Sequence, residues 1–215
     1  MALDRIQNNY TRQEVFILAY HLSDTFSIPY DTTRLNYYNI RGTPTVWMDG
    51  VASYVGGRSI SYGEAGIQAM YNTYANMIQT ERQRISGVVP FELSLEGDVG
   101  PTNPQMRLTV STTTGYPRVV SAHFVITEDG IPVSASNGQT VMNSVVRAFL
   151  GTQAVNLLSS GSVQLTASYT GTVPRHPQGV LRPAVFLEDD ATKEILGGVG
   201  TFSPRASVPR WRQYR

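Results

Sequence analysis

Residues 40–50, IRGTPTVWMDG, constrain this chain more than any other stretch. Thr43 precedes Pro44, and X-Pro bonds are the only peptide bonds that go cis at modest cost. Val46, Trp47 and Met48 read as a short buried strand, and Asp49-Gly50 as a two-residue hairpin turn. Residues 51–54 supply the returning strand. A hairpin entered through a proline and closed by Asp-Gly forms from local signals alone, so the neighbouring segments must fold around it.

The segments on either side read as alternating helices and extended runs. Leu3, Ile6 and Tyr10 lie at helical spacing, which predicts a short amphipathic helix over residues 3–12. Residues 14–20, EVFILAY, form a nearly continuous apolar run of strand length, as expected of a strand covered on both faces. Residues 21–30 read as a loop, with Ser23, Asp24 and Pro29 as breakers. Asp31 or Thr32 is placed to cap a helix reaching Asn39, with Gly42 in the turn that ends it. After the hairpin, Ser61 to Glu64 forms a capping-box pattern. It opens a long helix with Ile67, Met70, Tyr71, Tyr74, Met77, Ile78 and Ile85 in one stripe.

At Ser86-Gly87 the pattern changes. Residues 91–95, 106–112, 119–127, 163–169 and 183–187 are alternating or β-branched runs, and 144–150 and 195–202 could add two more. Glu128-Asp129-Gly130 and Asp189-Asp190-Ala191-Thr192 read as hairpin turns. The fold class expected is therefore α/β for residues 1–86, all-β with an immunoglobulin-like β-sandwich for 87–203, and an Arg-rich tail over 204–215. At 215 residues the chain accommodates one large domain or two ordinary ones. A formal net charge of +1 gives no general pull toward nucleic acid or a membrane surface, and no run reaches the length of a membrane span. Lys193 is the only lysine; every other basic side chain apart from histidine is arginine, the residue better shaped for carboxylate pairing.

Several stretches together carry a family resemblance. They are AYHLSDTF (residues 19–26), Arg34, Tyr37-Tyr38, Gly42-Thr43-Pro44-Thr45 and Asp49-Gly50, followed by HFVITEDGIPV, NSVVRAFLG and VFLEDDATKEIL. In this order they resemble a two-part bacterial cell-envelope family of the outer-membrane-protein-twenty-eight type, a thioredoxin-like domain followed by a β-sandwich. The resemblance implies an extracytoplasmic setting, in the periplasm, on the outer-membrane surface or secreted. It also implies that Pro44 starts the third strand of the thioredoxin core, where the family places it opposite a Cys-x-x-C pair. This chain has no cysteine. Thiol–disulfide exchange needs a thiolate, so residues 1–215 cannot carry it out.

The resemblance also implies a gap. Family members begin with a strand bearing the cysteine motif, which lies between the strand at 14–20 and the one at 45–48. Here the sequence starts within the following helix, so the thioredoxin-like domain lacks its first strand. Unpaired backbone groups at two buried edges cost about 1–3 kcal/mol each. Three expectations follow: this sequence is a fragment of a longer chain, a partner donates the strand, or another segment of the chain fills the slot. The fragment reading comes first and strand donation second. The expected role is non-enzymatic binding or assembly. The alternatives are an oxidoreductase-like protein whose Cys-x-x-C lies upstream of Met1, and a surface-filament subunit.

Candidate site residues follow from these readings. Thr43, Pro44, Val46, Val15 and Ile17 form the strand- or peptide-binding set. Tyr30, Tyr37 and Tyr54 offer an aromatic contact surface, and Arg210, Trp211 and Arg212 an arm for a neighbouring subunit. A protein partner or self-association is therefore expected, with peripheral contact to the envelope. No cofactor is expected. No metal is expected either, because His21, His123 and His176 show no paired ligand spacing, and Glu188-Asp189-Asp190 reads better as a turn than as a calcium loop. No Gly-x-Ser-x-Gly elbow supports serine catalysis.

Overall fold

The computed structural model describes residues 1–57, 63–85, 90–135 and 138–200. The Ser61 capping pattern, the Ser86-Gly87 boundary, and Arg210, Trp211 and Arg212 lie outside these residues. In chain order the elements are α1 (Ala2–Asn9), α2 (Pro29–Tyr37), β1 (Thr45–Met48), β2 (Ala52–Val55), α3 (Gly63–Arg84), β3 (Glu92–Asp98), β4 (Gln105–Thr112), β5 (Val120–Asp129), β6 (Ile131–Pro132), β7 (Val141–Met142), β8 (Val145–Val155), β9 (Gly161–Ser168), β10 (Val180–Asp189) and β11 (Glu194–Gly200). The chain is mostly β, and every pair within its sheets is antiparallel.

Two of the sheets, ordered β11-β10-β5-β8 and β3-β4-β9, enclose the main core. Leu95, Met106, Leu108 and Val110 meet Phe124, Ile126, Val185 and Leu187 there, each nearly or fully buried. The central strands β5 and β10 are buried along most of both faces. This explains why HFVITED and AVFLED lack a clean polar alternation. Their second face is covered by the first part of the chain: Phe16, Leu18, Tyr20, Ile28 and Tyr30 pack on Val125, Val146, Phe149 and Ala184.

Residues 14–20 depart from the strand expected of them. Among the described residues only Ala19 of this run is bridged, in parallel to Val145; the Ala19 N–H donates to the Ser144 carbonyl at 2.8 Å, and the Val146 N–H donates to the Ala19 carbonyl at 2.9 Å. The period-two burial is nonetheless real. Val15 and Ile17 pack toward Ile6, Met70, Tyr74 and Ile78 of α1 and α3, whereas Phe16, Leu18 and Tyr20 pack toward the four-stranded sheet. Apolar alternation reports which surfaces a segment separates; it does not report a hydrogen-bonded neighbour.

Helix boundaries also differ. Pro29, read as a loop breaker, is the first residue of α2, a position where its missing N–H costs nothing. Asp31 lies three positions inside the cap, and its carboxylate accepts the Ile28 N–H at 2.8 Å. The helix ends at Tyr37, two residues short of the Asn39 expected, and Asn39 rather than Gly42 makes the terminating turn: Asn39 has φ +53, and the Asn39 and Ile40 N–H groups donate to the Asn36 and Leu35 carbonyls. This pairing satisfies the last carbonyls of the helix. Asn39→Ala is expected to cost about 1 kcal/mol and Asn39→Gly nothing, measured by chemical denaturation. Helix α1 stops at Asn9, short of Arg12, because Tyr10 is extended.

Candidate functional site

Hairpin β1–β2 turns at Asp49-Gly50, with φ +46 and +73, and the Val51 N–H donates to the Met48 carbonyl at 3.0 Å; because Met48 pairs with Ala52, the loop is three residues, one more than expected, and the returning strand starts at Ala52 rather than Val51. The Thr43–Pro44 bond is cis, and both residues are exposed. The Gly56 N–H donates to the Pro44 carbonyl at 2.8 Å. In an antiparallel ladder hydrogen-bonded pairs alternate with non-bonded ones, so the register Val46↔Tyr54 and Met48↔Ala52 continues the bonded set. The N–H and C=O of Thr45 and Trp47 therefore point away from β2. The same alternation applies across residues 15–20, where Ala19 faces β8, so the backbone groups of Phe16 and Leu18 point away from β8. None of these four residues has a backbone partner among the described residues.

Both segments separate the same two surfaces. Val46, Met48 and Tyr54 join Val15 and Ile17 against α1 and α3. On the opposite side Trp47 packs on Tyr38, with ring centroids 4.8 Å apart, and Tyr20 packs edge-on against Tyr30 at 6.1 Å. Residues 15–20 and 45–48 are all half-buried, although the helical side chains above them are buried. The strand-binding set Val15, Ile17 and Val46 is thus brought into one layer. Thr43 and Pro44 stand at its exposed end.

Of the proposed aromatic surface, Tyr30 is corrected. It is only 7% exposed, stacks on Phe149 at 3.8 Å, and shares a hydrogen bond of 2.8 Å with His123 Nδ1. Its ring fills the space between α2 and the sheet. Tyr37 and Tyr54 are half-buried; Tyr37 lies against Tyr38, and Tyr54 lies edge-on to Tyr74.

The residues that hold this layer in place carried other readings in the sequence, Arg34 and Tyr38 as part of the resemblance and His123 and Glu188 as weak metal-ligand candidates, and nothing there paired them with one another. Arg34 of α2 donates from both terminal nitrogens to Glu188 of β10, each at 2.7 Å, with Glu188 fully buried. The Tyr38 hydroxyl donates to the same carboxylate, and His123 Nε2 lies 3.2 Å from it. Burial pushes the Glu188 carboxyl up, but Arg34 and His123, followed by Tyr38, bring it down to about 2. Arg34 sits among the rings of Tyr37, Tyr38 and Phe186, about 5 Å from each. A second anchor joins Arg12 to Asp129, which also accepts from Arg182. At the hairpin turn the Ile195 N–H donates to the Asp49 carbonyl at 2.8 Å, and Lys193 Nζ donates to the Tyr37 carbonyl. The single lysine thus ties the β10–β11 turn to the end of α2, beside the bond from Ile195 to the β1–β2 turn.

His123, Glu188 and Asp190 lie close enough to one another to suggest a metal site. Their chemistry argues against it. Both Glu188 oxygens already accept from Arg34, and Asp190 accepts from Ser121. A cation there would have to displace a guanidinium that already balances the charge.

Two other carboxyls shift the opposite way. Burial raises Asp31 from 3.8 to about 6; burial and then the neighbouring Glu81 do the same to Asp49. A carboxyl with a raised folded pKa binds its proton more readily folded than unfolded, so it adds stability as pH falls from about 6 toward 4. Glu188, lowered to about 2, removes stability as pH falls below its unfolded value of 4.5. Stability should therefore peak at about pH 4–5, measured as the urea midpoint against pH. Asp49→Asn, which keeps a side chain tolerant of positive φ, should raise the midpoint at pH 8 and shrink the gain on acidification.

The fold and site thus define a mostly β chain whose helical first part is clamped onto one sheet by the buried Arg34–Glu188 pair and the partly buried Arg12–Asp129 pair. No family model matches the sequence, and no curated protein matches it. Among solved structures the chain is similar to HBP35 of Porphyromonas gingivalis, with a TM-score of 0.65 and 16% identity, over 95% of this chain and 68% of that one. At that identity the likeness is one of fold. Beta-glucosidases from Kluyveromyces marxianus (10% identity) and Listeria innocua (12%) match 52% and 51% of this chain, and 14% and 16% of theirs, with TM-scores of 0.29 and 0.28, too low to bear on this protein. Among the described residues no helix is long and apolar enough to cross a membrane.

Proposed function

We propose that this chain is a non-enzymatic, extracytoplasmic binding or assembly protein that accepts an extended strand from a partner. In this reading its first part is a thioredoxin-like domain lacking one strand, and its second an immunoglobulin-like β-sandwich. The observation that carries it is the pair of backbone edges without a partner among the described residues, Phe16 and Leu18 on one segment and Thr45 and Trp47 on the other, within one half-buried apolar layer. Main-chain hydrogen bonds to such edges supply affinity with little dependence on sequence, and side-chain pockets supply selection. The setting rests on the resemblance to the envelope family, and the whole-length fold likeness to HBP35 is consistent with that family. Without a thiol in the chain, the exposed Thr43–Pro44 loop serves recognition rather than redox chemistry.

The test is a fluorescence titration. In a Trp211→Phe background Trp47 is the only indole. Extended, capped peptides should shift its emission saturably. Thr45→Pro, which removes an N–H lacking a partner among the described residues at the first residue of an edge strand, should abolish the shift, while Thr45→Ala, which loses only the hydroxyl's bond to the Gly42 carbonyl, should keep it. Emission insensitive to every extended peptide would remove the reading.

A further inference from the structure

Strand β2 has a free edge of its own, on the side of the hairpin away from β1. The Val46–Tyr54 and Met48–Ala52 pairs turn the backbone groups of Ala52 and Tyr54 toward β1, so those of Ser53 and Val55 point outward. Neither residue has a backbone partner for these groups among the described residues. The side chains of Val51, Ser53 and Val55 are exposed, and Val55, at 65%, is the most exposed large apolar side chain among the described residues. Residues 51–57 contain no charge and no proline, the devices by which edge strands resist pairing.

This edge is complementary to itself. Residues 51–55 read Val-Ala-Ser-Tyr-Val, with Ser53 at the centre and a valine two positions to either side. Laid antiparallel on a second copy about Ser53, the strand sets Ser53 opposite Ser53 and Val51 opposite Val55. Those are the positions whose backbone groups point outward, so Ser53 exchanges both its bonds with its counterpart and the Val55 N–H reaches the Val51 carbonyl. The valines meet side by side, and no like charges face one another. On the other face Ala52 meets Tyr54 of the second copy. Ala52 borders an open, mostly apolar cavity of about 340 Å³ with Thr73, Met77 and Thr80 of α3, so the larger ring meets space there rather than packed atoms.

We propose that two copies of this chain associate through β2, in an antiparallel pairing centred on Ser53 that joins their hairpins into one sheet. The other edge of β2 is taken by β1, so the pairing closes as a two-fold dimer and does not grow into a fibre. Residues 51–55 span only about 17 Å, which places the dimer among weak, concentration-dependent associations below the standard interface size. The proposal is independent of the strand-accepting reading, which concerns the opposite edge of the hairpin at Thr45 and Trp47.

Sedimentation velocity on the full chain, from micromolar to millimolar concentration, tests it. The unmodified chain should pass from monomer to dimer over that range. Ser53→Lys sets two like charges across the two-fold axis and should weaken association at least about tenfold. Its melting temperature should not change, because Ser53 is exposed. Ser53→Glu should dissociate the dimer likewise, and an equimolar mixture of the two variants should restore it, since opposite charges then meet at the axis. Val119→Lys, which adds a charge at another exposed valine, should leave association as it was. A chain that stays monomeric at millimolar concentration overturns the proposal. So does a dimer that survives Ser53→Lys, or one lost equally in Val119→Lys, because the contact then lies elsewhere or answers to net charge alone. A mixture of the two Ser53 variants that remains monomeric overturns the register about Ser53.

Discussion

Replacing Arg34 with alanine is expected to destabilise the chain by about 3–5 kcal/mol, the usual cost of stranding one member of a buried ion pair. For a protein of this size that corresponds to a fall in melting temperature of about 10 °C. The effect is large because Glu188 has no exposure to water, and because removing Arg34 takes away its two strongest hydrogen bonds at once. Tyr38 and His123 remain, but neither supplies a permanent charge. An Arg34→Met, Glu188→Leu double variant should lose much less, since apolar replacement of a whole buried pair is often close to neutral. If the single and double variants melt together, the pair does not anchor α2, and the clamp between the two parts lies elsewhere.

Gly50→Ala should be nearly as damaging, for a different reason. A β-carbon at Gly50 would lie 1.9 Å from the Lys193 carbonyl oxygen, in a residue already at φ +73. Either the turn leaves its seat on the β10–β11 turn or the backbone of Lys193 moves. The expected cost is about 2–4 kcal/mol, strain and lost docking together. Gly56→Ala is the control: its φ is also positive, at +98, but nothing lies within 4 Å of the added carbon. It should cost about 1 kcal/mol. The Ile195 amide, which donates to the Asp49 carbonyl, should exchange faster in Gly50→Ala and unchanged in Gly56→Ala. Equal losses in the two variants would mean that backbone strain alone, not the docked turn, sets the effect.

These two sites show what could be read from the sequence and what could not. The hairpin was legible because its signals are local: a proline before an apolar run, then Asp-Gly. The core strands were legible because alternation and turn residues repeat at short intervals. Arg34 and Glu188 are 154 positions apart, and no local pattern pairs them. A partial signal did exist. Glu128 and Glu188 each end an apolar strand, in HFVITED and AVFLED, and a carboxylate placed there demands a cation when buried. The arginine-rich composition said what kind of partner to expect without saying which. Residues 14–20 were misread as a paired strand because their hydrophobic pattern reports the two surfaces they separate. Tyr30 was taken for an outer contact because an aromatic side chain at a helix start reads alike in an interface and in a core.

The most direct test of the account is amide exchange measured by NMR on the purified chain. Phe16, Leu18, Thr45 and Trp47 should exchange at rates near those of an unstructured chain, while Ala19 and Val46, bonded to Ser144 and Tyr54, stay protected. Adding an extended, capped peptide that shifts Trp47 emission should protect the first four and leave the other two unchanged. If those four amides are already as protected as Val46 in the chain alone, the edges are paired from within and there is no slot for a partner strand.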